Sequence, residues 1–470
     1  MGSIALIAPE LVVLATAVLV LFADVFARGR ERAAAWIGVA GLVAAAALAL
    51  FGGRGTVALF GGQLAVDGMA LFARVATTLL AAVFLLWVAG AGLKRGSVRE
   101  FSSLVLFATL GGMLMVSARD WVVLLLALET ATMPAYVLMG FDRKDDRSLE
   151  GAMKYFLLSM VASLLFLYGM SFVIGMSGTT LLAKSHLEPG PAGLIAAVFV
   201  CAGLLAKLSA APFQWWSPDA YAGAPAASVA FVSAVPKITG VVAFARVVQY
   251  LAPQAEGLWI VLVVGAIASM LVGNLAAYPQ QDLRRLMAYS GVAHVGYLLV
   301  GLAAGARPIA GATAAGAHAG LTAAVFYSLA YAVPSMAVML VAAEEGDRLD
   351  DFKGLASRRP AAAWLLVLFI VSLVGIPPLA GFAGKFYLFG AAIGSGLTWL
   401  ALIAVLMSVV SAGFYFRIIH AMFFAEPVKT ASAAAPGRPA ALALAACALA
   451  VLAIGIAASP LLAALGFALP

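Results

Sequence analysis

The chain has 470 residues, 64% of them hydrophobic and only 10% charged, with a formal net charge of +7 at pH 7. A soluble domain carries about 25% charged residues, so this composition excludes a soluble enzyme and leaves no stretch for a soluble catalytic domain. The basic surplus belongs to short loops and is not a nucleic-acid footprint.

A spanning helix needs about 20 apolar residues. In chain order the candidate runs are 3–26, 33–52, 68–92, 100–117, 120–141, 149–176, 190–212, 227–250, 257–277, 286–304, 313–342, 361–394, 397–424 and 439–463, fourteen in all. The first is interrupted by Glu10 and lacks a basic stretch before it, so it reads as a retained helix and not a cleaved signal. Continuous runs of this length exclude a membrane barrel. The expected class is an all-α integral membrane protein lying in the lipid bilayer.

Basic residues set the expected orientation. Alternate loops carry Arg28, Arg30, Arg32; Lys94, Arg95, Arg99; Arg143, Lys144, Arg147; Arg284, Arg285; Arg348, Lys353, Arg358, Arg359; and Lys429, Arg438. The opposite loops carry only Arg54, Arg119, Lys184 and Arg307. The richer side is expected to face the cytoplasm, with both termini periplasmic.

Two segments are built differently. The seventh ends in Ala-Lys207-Leu-Ser-Ala-Ala-Pro212 and runs on through Trp215, Trp216, Pro218 and Pro225. The twelfth is too long for one straight span and carries Gly375, Pro377, Pro378, Gly381 and Gly384 before Lys385. Freed backbone groups at membrane depth are tolerated only inside protein or beside water, and paired interrupted segments point to internally repeated transporters. The interruptions lie five segments apart, and an odd offset turns the second copy upside down. The expected organisation is three N-terminal helices (1–98), a first repeat over segments 4–8 (99–251), an inverted second repeat over segments 9–13 (257–424), and a C-terminal helix (437–470). Lys207 and Lys385 would then lie at comparable depth in opposite-facing half-channels.

Glu129, Lys154, Lys207, Lys237 and Lys385 stand alone in otherwise apolar segments. A charge at the centre of a membrane helix costs roughly 2.5–3.5 kcal/mol on insertion scales, so a line of ionisable groups suggests a proton or cation path. Glu129, mid-segment, suits proton exchange with a nearby lysine; a static ion pair joining two helices is the alternative. Lys154 is close enough to a segment end to snorkel to the interface. Lys207 and Lys237 are deeper, each near a helix-breaking proline, Pro212 or Pro236. A buried lysine can load and release a proton, which an arginine cannot. His294 is either a core histidine satisfied by a hydroxyl such as Ser290 or a link between lysines. Arg74, Arg246 and Arg417 read as structural or near an interface, since arginine does not release protons. Cys201 and Cys447 have no CxxC or CxxCH spacing and read as buried thiols. The four histidines share no ligand spacing, and no phosphate-binding glycine loop follows a strand.

The strings LLLALETATMPAYVLMGF, SLEGAMKYFLLS, LLAKLSAAPFQWWSPDAYAGAPA, GNLAAYPQQDLRRLMAYSGVAHVGY and DDFKGLASRRPAAAWLLVLFIVSLVGIPPLAGFAGKFYLF span roughly residues 119–390. They resemble subunit N of proton-pumping NADH-quinone oxidoreductase, respiratory complex I. That resemblance implies an antiporter-like, proton-translocating subunit with discontinuous seventh and twelfth helices in the bacterial inner membrane. Its partners would be neighbouring antiporter-like and small membrane subunits. NADH, FMN, iron–sulfur clusters and quinone would be handled by partner subunits, with no cofactor or metal on this chain. The resemblance assigns a proton relay to Glu129, Lys154, Lys207, Lys237, His294 and Lys385. Gln214 departs from the family, which usually has histidine there and so could titrate at that point. Subunits of cation/proton antiporters and membrane-bound hydrogenases share the general plan and are the alternative.

Overall fold

The computed structural model describes residues 3–22, 31–52, 55–93, 96–308, 314–426 and 437–460. Arg28, Arg30, Arg54, Lys94, Arg95 and Lys429, part of the orientation argument, lie outside the described residues, as does the His318 side chain.

Among the described residues the chain forms eighteen α-helices and one two-stranded hairpin, β1 (Val57–Leu59) and β2 (Leu64–Val66). The helices are α1 (Ser3–Leu21), α2 (Glu31–Phe51), α3 (Gly68–Ala91), α4 (Val98–Ser117), α5 (Trp121–Met139), α6 (Asp146–Ser177), α7 (Pro191–Lys207), α8 (Trp216–Gly223) and α9 (Ala226–Val232). There follow α10 (Val235–Leu251), α11 (Leu258–Ala277), α12 (Leu283–Ala306), α13 (Ala314–Glu345), α14 (Leu355–Arg358), α15 (Pro360–Val374), α16 (Ala380–Gly394), α17 (Thr398–Phe424) and α18 (Arg438–Ile456). Eleven helices are long and apolar enough to cross a membrane, and three shorter apolar helices, Ala5–Leu21, Pro191–Lys207 and Pro360–Val374, accompany them.

Local sequence explains where the helices begin. Side-chain oxygens of Asp67, Asp120, Asp145 and Asp282 accept from first-turn amides of α3, α5, α6 and α12, satisfying donors that have no partner within the helix. The seventh segment stops as a helix at Lys207 and resumes as α8; the twelfth divides into α15 and α16. The eighth, expected over 227–250, is one of the eleven spans, Ala226–Leu251, with a local interruption inside it between α9 and α10. Pro236 has no N–H for the Val232 carbonyl and its ring crowds that carbonyl, so the chain opens at Ser233–Ala234. Ala211–Pro212 and Pro377–Pro378 are cis.

Helices α10, α12 and α13 are buried almost throughout and form the centre of the bundle. Around them α2, α6 and α17 expose apolar side chains such as Trp36, Val43, Leu157, Leu164, Leu402 and Val409. Lipid tails are as apolar as leucine, so close backbone approach at small residues drives packing: Gly111 of α4 lies against the Ala131 backbone of α5, and Gly273 of α11 against that of Ala293 on α12. Alternate loops gather at opposite ends. One end joins Arg119 to Tyr250 and Arg307 to the Ser395 carbonyl; the other joins Arg284 to Asp347 and Arg359 to Glu344.

The N-terminal helices are fastened to this bundle by charge. Asp67, just before α3, receives Arg246 of α10 at 2.9 and 2.8 Å, the Ala70 amide at 2.8 Å, and Arg119. Arg246 also donates to the Val116 carbonyl at 2.8 Å, and Arg74 pairs with Glu10 at 2.6 Å. Arg417 donates to the carbonyls of Tyr278 and Gln280. The three arginines expected to be structural or near an interface all make structural contacts. Burial pushes the Asp67 carboxyl up, but the hydrogen bonds and charge of Arg246, with Arg119, outweigh it and hold the group at about 2. Its stabilising contribution is therefore complete above the ordinary carboxylate range and lost as pH falls from about 4 toward about 2. Asp67→Ala strands the buried Arg246 guanidinium, and loss of one partner of such a pair costs about 3 kcal/mol. Thermal unfolding of the detergent-solubilised protein is expected to show a lower Tm for this variant at pH 7, and a wild-type Tm would mean that the clamp is dispensable.

Candidate functional site

Glu129 lies midway along α5, and Lys207 is the last residue of α7. The Lys207 ammonium donates to Glu129 Oε1 at 3.2 Å, to the Tyr136 hydroxyl at 3.2 Å and to Ser159 Oγ at 2.7 Å. Ser163 donates to the same carboxylate oxygen, and Tyr136 donates to Ser159 at 2.6 Å. At a helix C-terminus the backbone dipoles favour a cation, so both carboxylate and helix hold the Lys207 charge. This group lies toward the side of the bundle: Leu126, Met133 and Val137 of α5 are exposed there, and the Glu129 side chain keeps 21% of its surface.

Lys237 stands in the first turn of α10, at the positive end of the helix. It donates to the Tyr331 hydroxyl at 3.4 Å and lies 5.1 Å from the centre of that ring. The Tyr331 ring packs 4.6 Å from the imidazole of His294. His294 Nδ1 is 2.7 Å from the Tyr327 hydroxyl and Nε2 3.2 Å from that of Tyr415, which in turn meets Ser290. Tyr297 lies at right angles to the His294 ring, and the Lys385 ammonium stands 5.0 Å from the centre of the Tyr297 ring. The Lys385 amine ends on the C-terminal carbonyls of α15, Leu373 at 3.1 Å and Val374 at 2.8 Å, and on Ser408 at 2.7 Å. Among the described residues no carboxylate pairs with Lys237 or Lys385.

The six residues singled out from the sequence thus fall into three groups. Glu129 and Lys207 are bonded directly. Lys237, His294 and Lys385 share one line of aromatic rings and hydroxyls, and His294 lies both among hydroxyls and between the lysines. No hydrogen bond among the described residues joins this line to Lys207. Lys154 belongs to neither group: 43% of its side chain is exposed, paired with Glu150 at 2.8 Å and Asp219 at 2.9 Å, with Arg285 on the same aspartate at 3.1 Å. It lines a polar cavity of about 290 Å³ at the end of the bundle and is not a charge isolated in the apolar interior. Its position on the third turn of α6, facing the short helix α8, brings it to carboxylates that sequence spacing did not associate with it.

The two breaks differ in how they hold a lysine. Lys207 ends the half-helix before its break, whereas Lys385 stands on the half-helix after its own and reaches back. They do not occupy equivalent places. Gln214 lies within the first break, between α7 and α8, and its Oε1 has no hydrogen-bond partner among the described residues. The tyrosines and serines that complete the site carry no charge to mark them in the sequence. Their signal is spacing: Ser159 and Ser163 on α6, and Tyr327 and Tyr331 on α13, are each four residues apart and so share a helix face. Cys201 and Cys447 are free and buried.

A family model described as NADH:quinone oxidoreductase/Mrp antiporter, transmembrane, matches residues 118–411. NADH-quinone oxidoreductase subunit N of Rubrobacter xylanophilus is 39% identical over 442 residues, covering 91% of this chain and 90% of that protein. The subunit N of Rhodospirillum rubrum is 42% identical over 382 residues, covering 79% and 77%. Among solved structures, a chain of respiratory complex I from Thermus thermophilus with bound Aureothin superposes with TM-score 0.83 at 30% identity, covering 97% of this chain and 99% of that one. A chain of the Mrp complex from Dietzia sp. DQ12-45-1b gives TM-score 0.83 at 25% identity, covering 99% and 96%.

The half-exposed pairs of Lys154 are worth little in water, under about 1 kcal/mol each, and Arg285 still neutralises Asp219 without them. Lys154→Ala is therefore expected to shift the Tm of the solubilised protein by no more than a few degrees, measured beside Asp67→Ala as the large-effect reference.

Proposed function

Because this chain belongs to the family of NADH-quinone oxidoreductase subunit N, we propose that it translocates protons along Glu129, Lys207, Lys237, His294 and Lys385, driven by quinone reduction in partner subunits. It is a multi-pass, proton-translocating membrane subunit of NADH:quinone oxidoreductase. The observation that carries the relay reading is the row of ionisable side chains, an ion pair toward the side of the bundle and an aromatic-lined line of amine, imidazole and amine buried inside it, in a bundle with an apolar exterior. Moving one charge against 100 mV costs about 2.3 kcal/mol. In this reading that free energy arrives through contacts with subunits that handle NADH, FMN, iron–sulfur clusters and quinone. Lys154 serves at the rim, supplying Asp219 with a counter-charge.

The fourteen-span organisation belongs to the same proposal, with three helices over 1–98, repeats over 99–251 and 257–424, and a last helix over 437–470. Three pairs of backbone features support the repeat. Trp121 and Leu182 pair with Thr180 and Arg119 as Leu283 and Leu349 pair with Asp347 and Gln281. Gly178 and Gly346 end α6 and α13 with a positive φ, +65° and +145°, and each amide makes an i−4 hydrogen bond. Each break closes its first half-helix with an amide reaching five residues back, Ala210 to Leu205 and Ile376 to Val371. Counted from those last bonds, the counterpart of Lys207 is Leu373 and that of Lys385 is Asp219. The repeat therefore relates the breaks and not the lysines. The orientation proposed is cytoplasmic for the end with Arg143, Arg284 and Arg358, with both termini periplasmic in a bacterial inner membrane.

The Mrp resemblance supports a second reading, a cation/proton antiporter subunit; sodium-dependent transport by the purified complex would favour it.

Glu129→Gln is expected to leave the complex assembled and to abolish or severely reduce proton pumping, read as proton translocation in proteoliposomes beside native gels. Normal pumping in an intact complex would remove Glu129 from the path. Arginine keeps the charge but releases no proton, so Lys207→Arg and Lys385→Arg are expected to assemble and lose turnover, whereas a purely structural role tolerates both. Labelling of single cysteines at 143 and 358 from the cytoplasmic side checks the orientation, and labelling from the periplasm reverses it.

A further inference from the structure

Gly291 occupies the interior of α12, three residues before His294 and on the same face of the helix, and it is fully buried. Glycine is a poorer helix former than alanine, so helix propensity alone argues against it here. Space explains its presence. A methyl group at this position would lie 2.6 Å from Lys237 Nζ, 3.0 Å from the Tyr331 hydroxyl and 3.9 Å from Lys237 Cε. The volume that any other residue would fill is taken by the amine itself.

We propose that Gly291 is a positioning residue for the Lys237 amine, its missing side chain forming the seat in which that amine meets Tyr331 and faces His294. This inference rests on the relay reading above and adds to it the residue that fixes the amine's place. What makes the position informative is which atom gives way. A clash with backbone would unfold the helix, but here the atom met is the tip of a flexible four-carbon stem. The fold can absorb a methyl group by moving the amine, and the amine is the working atom. The second lysine of the line also rests on a glycine, with Lys385 Cδ 3.0 Å and Nζ 3.3 Å from where a Cβ on Gly375 would stand. Gly375, however, has φ of +94°, so any substitution there strains the backbone. Gly291 is helical and isolates the steric question.

The test compares four variants of the whole complex in proteoliposomes. Gly291→Ala is expected to assemble in wild-type amounts and to lose proton translocation by about a hundredfold, the order of loss that a 1 Å misplacement of a reacting group can produce, with an altered pH profile. Gly291→Ser, though larger, is expected to recover much of the rate because its hydroxyl accepts from the displaced amine. Gly265→Ala, whose methyl group meets Leu299 at an ordinary 3.5 Å, is expected to match wild type. Gly291→Ala pumping like Gly265→Ala with the wild-type pH profile overturns the inference, as does serine being no better than alanine. Lys237→Met separates the two levels: if it fails while Gly291→Ala pumps normally, only the seat is wrong, and if it pumps normally, the relay reading falls with it.

Discussion

Lipid offers no hydrogen bonds, so every polar group at membrane depth must find its partner within the protein. The arrangement of this chain follows from that constraint. Wherever proline or glycine opens a helix, the released backbone groups must be answered. At the second break the answer is Lys385, whose ammonium lies on the carbonyls of Leu373 and Val374. At the third, the hydroxyl of Ser233 turns back to the Ala230 carbonyl. The same necessity brings Glu129 to Lys207, and Arg246 to Asp67, across helices far apart in sequence.

The site has two electrostatic environments. Lys207 is held by a carboxylate and a helix C-terminus, near the lateral surface. Lys237 and Lys385 are held without carboxylates, among tyrosine rings whose faces attract cations more weakly than a formal negative charge does. Charge placed on the second pair depends on distributed dipoles and quadrupoles, so it is sensitive to small displacements of rings and amines.

Much of this was legible in the sequence because lipid makes the code coarse. A lone Lys in an apolar run is expensive wherever it lies, and Pro377-Pro378 cannot continue a helix in any setting. The break at Ser233–Ala234 was half legible: Pro236 marked it, but the apolar run continued across it. What the sequence did not disclose was partnership. Lys154 and Lys207 are both lone lysines in apolar runs, told apart in the sequence only by depth; the fold brings Asp219 of α8 to the first and Glu129 of α5 to the second. Gly291 has no side chain to draw attention, and its importance is the space it leaves to a residue on another helix. Tyr331 is one aromatic among many until α10 and α13 pack and set its hydroxyl against Lys237.

The contacts of Lys385 also carry a count. A protonated amine offers three N–H donors, and three oxygens stand ready, from Leu373, Val374 and Ser408. A neutral amine offers two. In the proposed relay, loss of the proton would take one donor from these oxygens; the Val374 carbonyl keeps the Ser408 hydroxyl at 3.3 Å, whereas an acceptor left with no donor away from water costs about 1–3 kcal/mol. Two of the three belong to the last turn of α15, where it meets the break. In the proposed relay, protonation of Lys385 would thus tie the last turn of α15 to α16 across the break, and release of the proton would loosen that tie by one bond.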